Sequence, residues 1–275
     1  MGKYKDDSAV LSFLYCTAFG RILLKIIAAP AISKVAGAYL NSRLSKRRIR
    51  RFVKKNDVDL SLCESTEFSC FNDFFVRKLK PEERPVDLRP DALIAPCDGL
   101  LSVYNITADA RFAIKGRTYS VDELLRECQD TKRFENGQCL VFRLCVNDYH
   151  RYHYMDDGCK TENCFIKGKL HTVRPIALGA VPVFHENSRE YTLLDTKNFG
   201  TVAQIEVGAM LVGKILNHHG EHQFKRGEEK GMFLFGGSTV VLLLEPNRAQ
   251  LLPEFAADGE ERKVCYGQQI GFAVH

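Results

Sequence analysis

From Leu11 the apolar residues fall at 11, 14, 15, 18, 19, 22, 23, 26 and 27, the three-and-four spacing of a helix with one apolar stripe. Arg21 and Lys25 lie off the stripe formed by its second half, so the segment predicts an amphipathic helix. Beyond residue 60 the period changes. Short alternating or apolar runs punctuated by glycine, at 100–104, 140–144, 164–166, 191–194, 202–207, 210–215, 232–235 and 240–244, predict strands. Two helices are expected among them: 68–79, and a short one running to about Cys128 that opens on the capping box Ser120-Val121-Asp122-Glu123. With no internal repeat and no low-complexity linker, the pattern predicts an α+β fold. Its β-rich core of packed sheets spans 61–275, behind an N-terminal arm, 1–60, of amphipathic and basic character.

Composition adds a charge asymmetry. The 275 residues are 45% apolar and 27% charged, ordinary for a folded chain, with a net charge of +5. Residues 1–55 hold thirteen Lys/Arg against two Asp/Glu, a net of +11 that leaves −6 for the remainder. The longest uncharged stretch in the arm, 8–20, is thirteen residues, short of the roughly 18–20 that cross a bilayer. The arm is therefore expected to lie on a membrane or pack on a core. Ala29-Pro30-Ala31 loosely resembles a signal-peptide cleavage site, but Arg21 and Lys25 interrupt the apolar region and Asp6-Asp7 spoil its basic start. Asp6 also stands where a myristoylation signal wants Ser or Thr.

Between Arg43 and Lys55 eight cations occur in thirteen residues with no acid. No groove-reading motif accompanies them, so nucleic acid is not expected as a partner. Behind an amphipathic helix they fit an anionic phospholipid membrane, each well-placed cation contributing about 1 kcal/mol. The ten cysteines are scattered and contain no Cys-x-x-Cys. Reduced thiols are expected in a chain of this size, and no metal: Cys159-x4-Cys164 near His150 and His153 is a faint zinc pattern.

Gly236-Gly237-Ser238-Thr239, set between two apolar runs, has the ingredients for backbone rearrangement: an unhindered carbonyl at Gly237 and a hydroxyl on the next residue. The same tetrapeptide is also ordinary turn chemistry. Asp148-Tyr149-His150-Arg151-Tyr152-His153 follows a predicted strand and puts two imidazoles at its end, where a cleft forms readily. Ala95-Pro96-Cys97-Asp98-Gly99 places a carboxylate in a tight turn, where capping its own turn is the ordinary use. Serine, histidines and aspartate together supply a nucleophile, a proton carrier and an orienting group.

These stretches, in this order, resemble the phosphatidylserine decarboxylase family from about Phe71 to the C-terminus. Phe74-Phe75-Val76-Arg77-Lys78-Leu79-Lys80-Pro81 with Arg84-Pro85-Val86-Asp87 resembles the family's entry segment, and Ala95 to Gly99 its aspartate motif. Lys115-Gly116, Tyr119 to Leu125, Asp148 to His153, Phe199 to Ala203, the glycine motif Val207 to Gly213 and Lys225 to Gly231 continue the order to Gly236-Gly237-Ser238-Thr239. Two positions depart from the pattern. Gly236 stands where many bacterial members carry leucine, and Ser188 replaces the glutamate of an Asn-Glu-Arg motif, leaving that loop's role open.

The resemblance implies autocatalytic serinolysis between Gly237 and Ser238, giving a β chain 1–237 and an α chain 238–275 that begins with a pyruvoyl cofactor made from Ser238. Asp98 would orient His153, and His153 would take the Ser238 proton. The pyruvoyl group would form a Schiff base with phosphatidylserine, and His150 would return a proton as phosphatidylethanolamine forms. It further implies a heterodimer of the cut chains, alone or as a pair of such units, peripheral to the cytoplasmic face of the cell membrane. The alternative is a pyruvoyl-dependent decarboxylase of a soluble amino acid. From another class comes a non-catalytic binding protein that keeps the fold.

Overall fold

The structure, a computed structural model, describes residues 9–27, 30–114, 117–126, 128, 130–209, 214–234, 238–255, 257 and 259–274. Gly236-Gly237, the 210–213 part of the glycine motif, Lys115-Gly116 and Phe235 lie outside the described residues. The α+β expectation holds, with several antiparallel sheets and few helices.

The organising element is the strand Ser238–Leu244, every residue of which is buried. Its apolar run from Val240 carries no polar alternation, the mark of a strand covered on both faces. It pairs with Gly200–Val207 on one side and Gln138–Leu144 on the other. Arg189–Thr196, Gly158–Lys160 and His222–Phe224 continue the sheet outward on the first side, Gly99–Asn105 and Arg262–Val264 on the second, and Cys164–Ile166 joins as a ninth strand on Arg189–Thr196. Three-stranded sheets flank it, one of Ile215–Asn217, Glu229–Phe233 and Arg151–His153, the other of Ala92–Ile94, Gln269–Ala273 and Ala249–Leu251. The fully buried ion pair Lys230–Glu206, at 2.9 Å, ties the first of these to the central sheet, with Asn217 accepting a third bond from Lys230 at 2.8 Å.

The expected strands that lie within the described residues are present and differ at their ends, whereas most of 210–215 lies outside them. The 232–235 run belongs to Glu229–Phe233, and the described part of 210–215 begins Ile215–Asn217. The helices differ more. The expected helix 68–79 is only Phe71–Phe75: Cys70 is extended and caps its start through Sγ, and past Val76 the chain leaves the helix to pair with residues 62–64, Glu64 N donating to Lys78 O and Lys80 N to Leu62 O. The helix after Ser120 ends at Leu125, and the Ser120 side chain makes no capping bond.

In the arm, the single amphipathic helix is two, Ala9–Cys16 and Ala18–Ile27, bent at Thr17. The Thr17 hydroxyl donates to Phe13 O at 2.8 Å and accepts from Gly20 N at 2.9 Å. A Cβ at Gly20 would fall 2.0 Å from Phe13 O, so this corner requires glycine. The bend splits the stripe: Leu14, Tyr15 and Leu24 enter the main core, whereas Phe13, Phe19, Ile22 and Leu23 stay exposed. Thr172 N donates to Tyr15 OH at 3.1 Å, fastening the first helix to the body.

After Pro30–Leu40 comes the cationic helix Arg47–Asn56. It is docked through a second cluster in which Leu40, Ile49 and Phe52 meet Phe68, Phe71, Phe74 and Phe75. Phe71 N donates to the buried Ser45 hydroxyl at 2.8 Å, and Asn72 Nδ2 to Asn41 Oδ1 at 2.8 Å. No helix among the described residues is long and apolar enough to cross a membrane.

Candidate active site

Ser238 opens the central strand opposite Leu144 and is fully buried. Past Leu144 the chain turns back through a loop that its own polar groups hold: Asp148 N donates to Cys145 O at 2.9 Å, and the Asp148 carboxylate accepts from Cys145 N at 2.7 Å. Lys263 reaches the other Asp148 oxygen. The turn delivers His150, also fully buried, back to the head of the strand. Its Nε2 lies 3.0 Å from Cys145 O, a contact that requires the proton on Nε2. Nδ1 is left as an acceptor, and it faces Ser238 Oγ at 3.2 Å. Burial first, and then the Arg77 charge, press the His150 pKa down to about 3. At neutral pH the ring is therefore an uncharged acceptor on a serine hydroxyl. Phe75 stacks on its face with centroids 4.1 Å apart.

Asp98 and His153 are placed differently from the expectation. The Asp98 carboxylate is buried and bound by Arg84, with Nε 2.9 Å from Oδ1 and Nη2 2.6 Å from Oδ2, while Tyr266 N donates to Oδ1 at 2.8 Å. A bidentate guanidinium outcompetes an imidazole for a buried carboxylate. Among the described residues no hydrogen bond joins Asp98 to either histidine, and none joins His153 to Ser238. His153, on the strand Arg151–His153, stacks on Tyr266 with centroids 3.6 Å apart and places Nδ1 3.3 Å from Pro96 O. Burial lowers its pKa to about 4. The structure thus brings His150 to Ser238, and sets His153 against the Tyr266 ring and Asp98 on the Tyr266 backbone N–H.

Three residues here were given no role from sequence. Arg84 and Asp148 stood inside the quoted motifs without a function. Arg77 is 6% exposed. Its Nη2 donates to Asn147 O at 2.8 Å and more weakly to Asp148 O, but Nε and Nη1 meet no acceptor, with the Cys63 thiol a weak neighbour. A buried guanidinium with orphaned N–H groups costs free energy that an anionic ligand would recover. The loop whose role was open is structural. Asn187 bridges His171 and Gly208 through both ends of its amide, and the Arg189 guanidinium donates to the carbonyls of Glu123, Leu124, His185 and Asn187. Ser188 exchanges hydrogen bonds with Gly168.

In this β-rich α+β fold, a neutral imidazole on a buried serine hydroxyl puts a proton acceptor on a nucleophile, the pairing that nucleophilic enzymes use. Comparison with known proteins says which kind. The model of the phosphatidylserine decarboxylase family matches residues 71–272. "Phosphatidylserine decarboxylase proenzyme 2" of Clostridium acetobutylicum is 43% identical over 98% of this chain and 93% of its own length. The proenzymes of Desulfitobacterium hafniense and Clostridium botulinum are 41% and 39% identical, over 91% and 99% of this chain and 87% and 96% of theirs. The chain belongs to the phosphatidylserine decarboxylase family.

Proposed function

We propose that this enzyme decarboxylates phosphatidylserine to phosphatidylethanolamine, using a pyruvoyl group that it makes from Ser238 by cutting its own backbone after Gly237. The observation that carries the reading is the His150 Nδ1 to Ser238 Oγ contact at 3.2 Å in a chain of this family. Ser238 Oγ attacks the Gly237 carbonyl carbon and gives its proton to His150. The Gly237–Ser238 C–N bond breaks as the nitrogen takes that proton, leaving an ester. Loss of the Ser238 Cα proton and scission of its Cβ–O bond release residues 1–237 with a carboxylate. The dehydroalanine left at 238 hydrolyses, releasing ammonia, to a ketone at the head of 238–275. Neighbouring attacker and carbonyl supply proximity worth roughly 7–11 kcal/mol when aligned.

The residues present fit such a group. Position 238 is walled from solvent, an imidazole touches it, and the orphaned N–H groups of Arg77 lie near that imidazole. The pyruvoyl ketone would supply an electrophile for the substrate amine and a sink for the electrons left by carbon dioxide. His150 takes a proton from the substrate ammonium and returns it to the carbon that lost carbon dioxide. Arg77 binds an anionic group of the substrate.

A second reading, with His153 as the base for cleavage and Asp98 behind it, is favoured by the His153 Nδ1 contact to Pro96 O, which leaves Nε2 free to accept. The cut chains, 1–237 and 238–275, stay together as a heterodimer through the central sheet, since Ser238–Leu244 is bound on both sides by strands of the longer chain. The arm, 1–60, attaches the decarboxylase domain, 61–275, peripherally to the anionic cytoplasmic face of the cell membrane.

A carbon dioxide release assay tests the substrate: vesicles containing phosphatidylserine against free serine and aromatic amino acids. Turnover confined to the vesicles is expected. Turnover confined to the soluble amino acids would replace the lipid with the alternative substrate class.

A further inference from the structure

A groove of about 620 Å³ runs between the cationic helix and the Phe71–Phe75 helix. Its lining joins two kinds of chemistry, the cations Arg47, Arg48, Arg51 and Lys55 and the apolar side chains of Leu40, Phe52 and Phe71. Arg47, Arg51 and Lys55 follow one another at i, i+4 and i+8, so one face of the helix carries three cations in a row with Arg48 beside them. Arg48 lies over the Tyr39 ring at 5.7 Å, and among the described residues none of the four has a carboxylate partner. The apolar lining leads inward. Phe52 meets Phe71 edge-on at 5.1 Å, Phe71 stacks with Phe75 at 6.4 Å, and Phe75 covers His150.

We infer that this groove binds one molecule of an anionic glycerophospholipid, with its phosphate on Arg47, Arg48, Arg51 and Lys55 and an acyl chain along Leu40, Phe52 and Phe71. The occupant follows from the lining, because a phosphate alone leaves the apolar residues bare and an apolar peptide leaves four unpaired cations facing it. The inference rests on the lipid substrate proposed above and adds to it a place where that lipid is held, one aromatic relay away from His150. General attraction to an anionic surface would depend on the number of charges and not on which cations supply them. A groove depends on position.

The test uses that difference. One variant carries Arg47→Gln, Arg51→Gln and Lys55→Gln, and a control carries Lys46→Gln, Arg50→Gln and Lys54→Gln, removing the same charge from residues that do not line the groove. Binding of monomeric short-chain phosphatidylserine is measured by calorimetry on full-length Ser238→Ala protein, where neither a membrane nor turnover enters. The groove variant should bind at least about tenfold more weakly, while the control binds like the parent. In the Ser238-containing enzyme the same groove variant should raise KM for the short-chain lipid with kcat little changed. Equal weakening by both triple variants, or no weakening by either, would overturn the inference. So would inorganic phosphate competing as well as the lipid, which would mark an anion site only. Lipid binding that follows the groove in a wild type without phosphatidylserine turnover would instead place the failure in the substrate reading.

Discussion

At the scale of single residues, two imidazoles three positions apart have distinct surroundings, and their variants should separate. His150→Ala in purified protein is expected to accumulate uncut chain, seen as one band on a denaturing gel, because it removes the acceptor in contact with Ser238. His153→Ala should mature. The reverse outcome would establish the second reading, in which His153 leaves Tyr266 to reach the serine. Both rings also set an acid limit. Their folded pKa values, about 3 and about 4, lie below the ordinary value of 6.5. Above 6.5 neither state takes the proton and stability is unaffected. Below it the unfolded chain binds protons that the folded chain refuses, so each ring costs up to about 1.4 kcal/mol per pH unit until its folded pKa is reached. In a Ser238→Ala background, His153→Phe should lose less stability between pH 6.5 and 4 than its parent, read from urea midpoints; an unchanged slope would contradict the buried neutral assignment. Cleavage itself should stay flat from pH 7 to 5, since the acceptor form of His150 persists. The residues were legible in the sequence because the motifs cluster them. Their partners were not. That Arg84 holds Asp98 depends on a contact fourteen positions apart, and that Nδ1 of His150 is the free nitrogen depends on where Cys145 O falls in a turn.

At the scale of elements, strands were readable because burial on one or both faces leaves a direct mark on polarity. Gly99–Asn105, Gln138–Leu144 and Ser238–Leu244 each extend only one to two residues beyond their apolar runs. Helices were overextended where the apolar spacing continued past a local stop. The first stripe ran through Thr17 because spacing cannot register a side chain that bonds its own backbone and bends the chain. Nor does it register that Phe71–Phe75 is capped from the arm. Ser45 accepts from Phe71 N in a buried contact, and its single proton is shared between the carbonyls of Leu40, buried, and Ser42, partly buried. Ser45→Ala should therefore lower stability by roughly 1–3 kcal/mol in denaturant unfolding. A change within a few tenths would mean that this junction contributes little to how the arm is held.

At the scale of the whole molecule, the pairing of Ser238–Leu244 on both edges would hold the two pieces of the proposed cut together, and the arm is part of the same packing. Removing residues 1–55 would strip Leu14, Tyr15 and Leu24 from the main core, so membrane attachment is better read from charge substitutions on a preserved fold. The fully buried Lys230–Glu206 pair joins two sheets, and no sequence pattern announced it, since isolated charges in strands usually face water. Lys230→Met should leave Glu206 without its counter-charge and cost about 3–5 kcal/mol, read from thermal or urea unfolding. Less than about 1 kcal/mol would mean that Glu206 folds protonated. The proposed chemistry requires Ser238 to become a ketone by severing the chain before it. Intact-mass spectrometry of the purified wild type and of Ser238→Ala tests it directly. The wild type should give two polypeptides, 1–237 and a 238–275 fragment whose mass fits a pyruvoyl terminus, and the variant one uncut chain. A single 275-residue mass from active wild-type protein would contradict it.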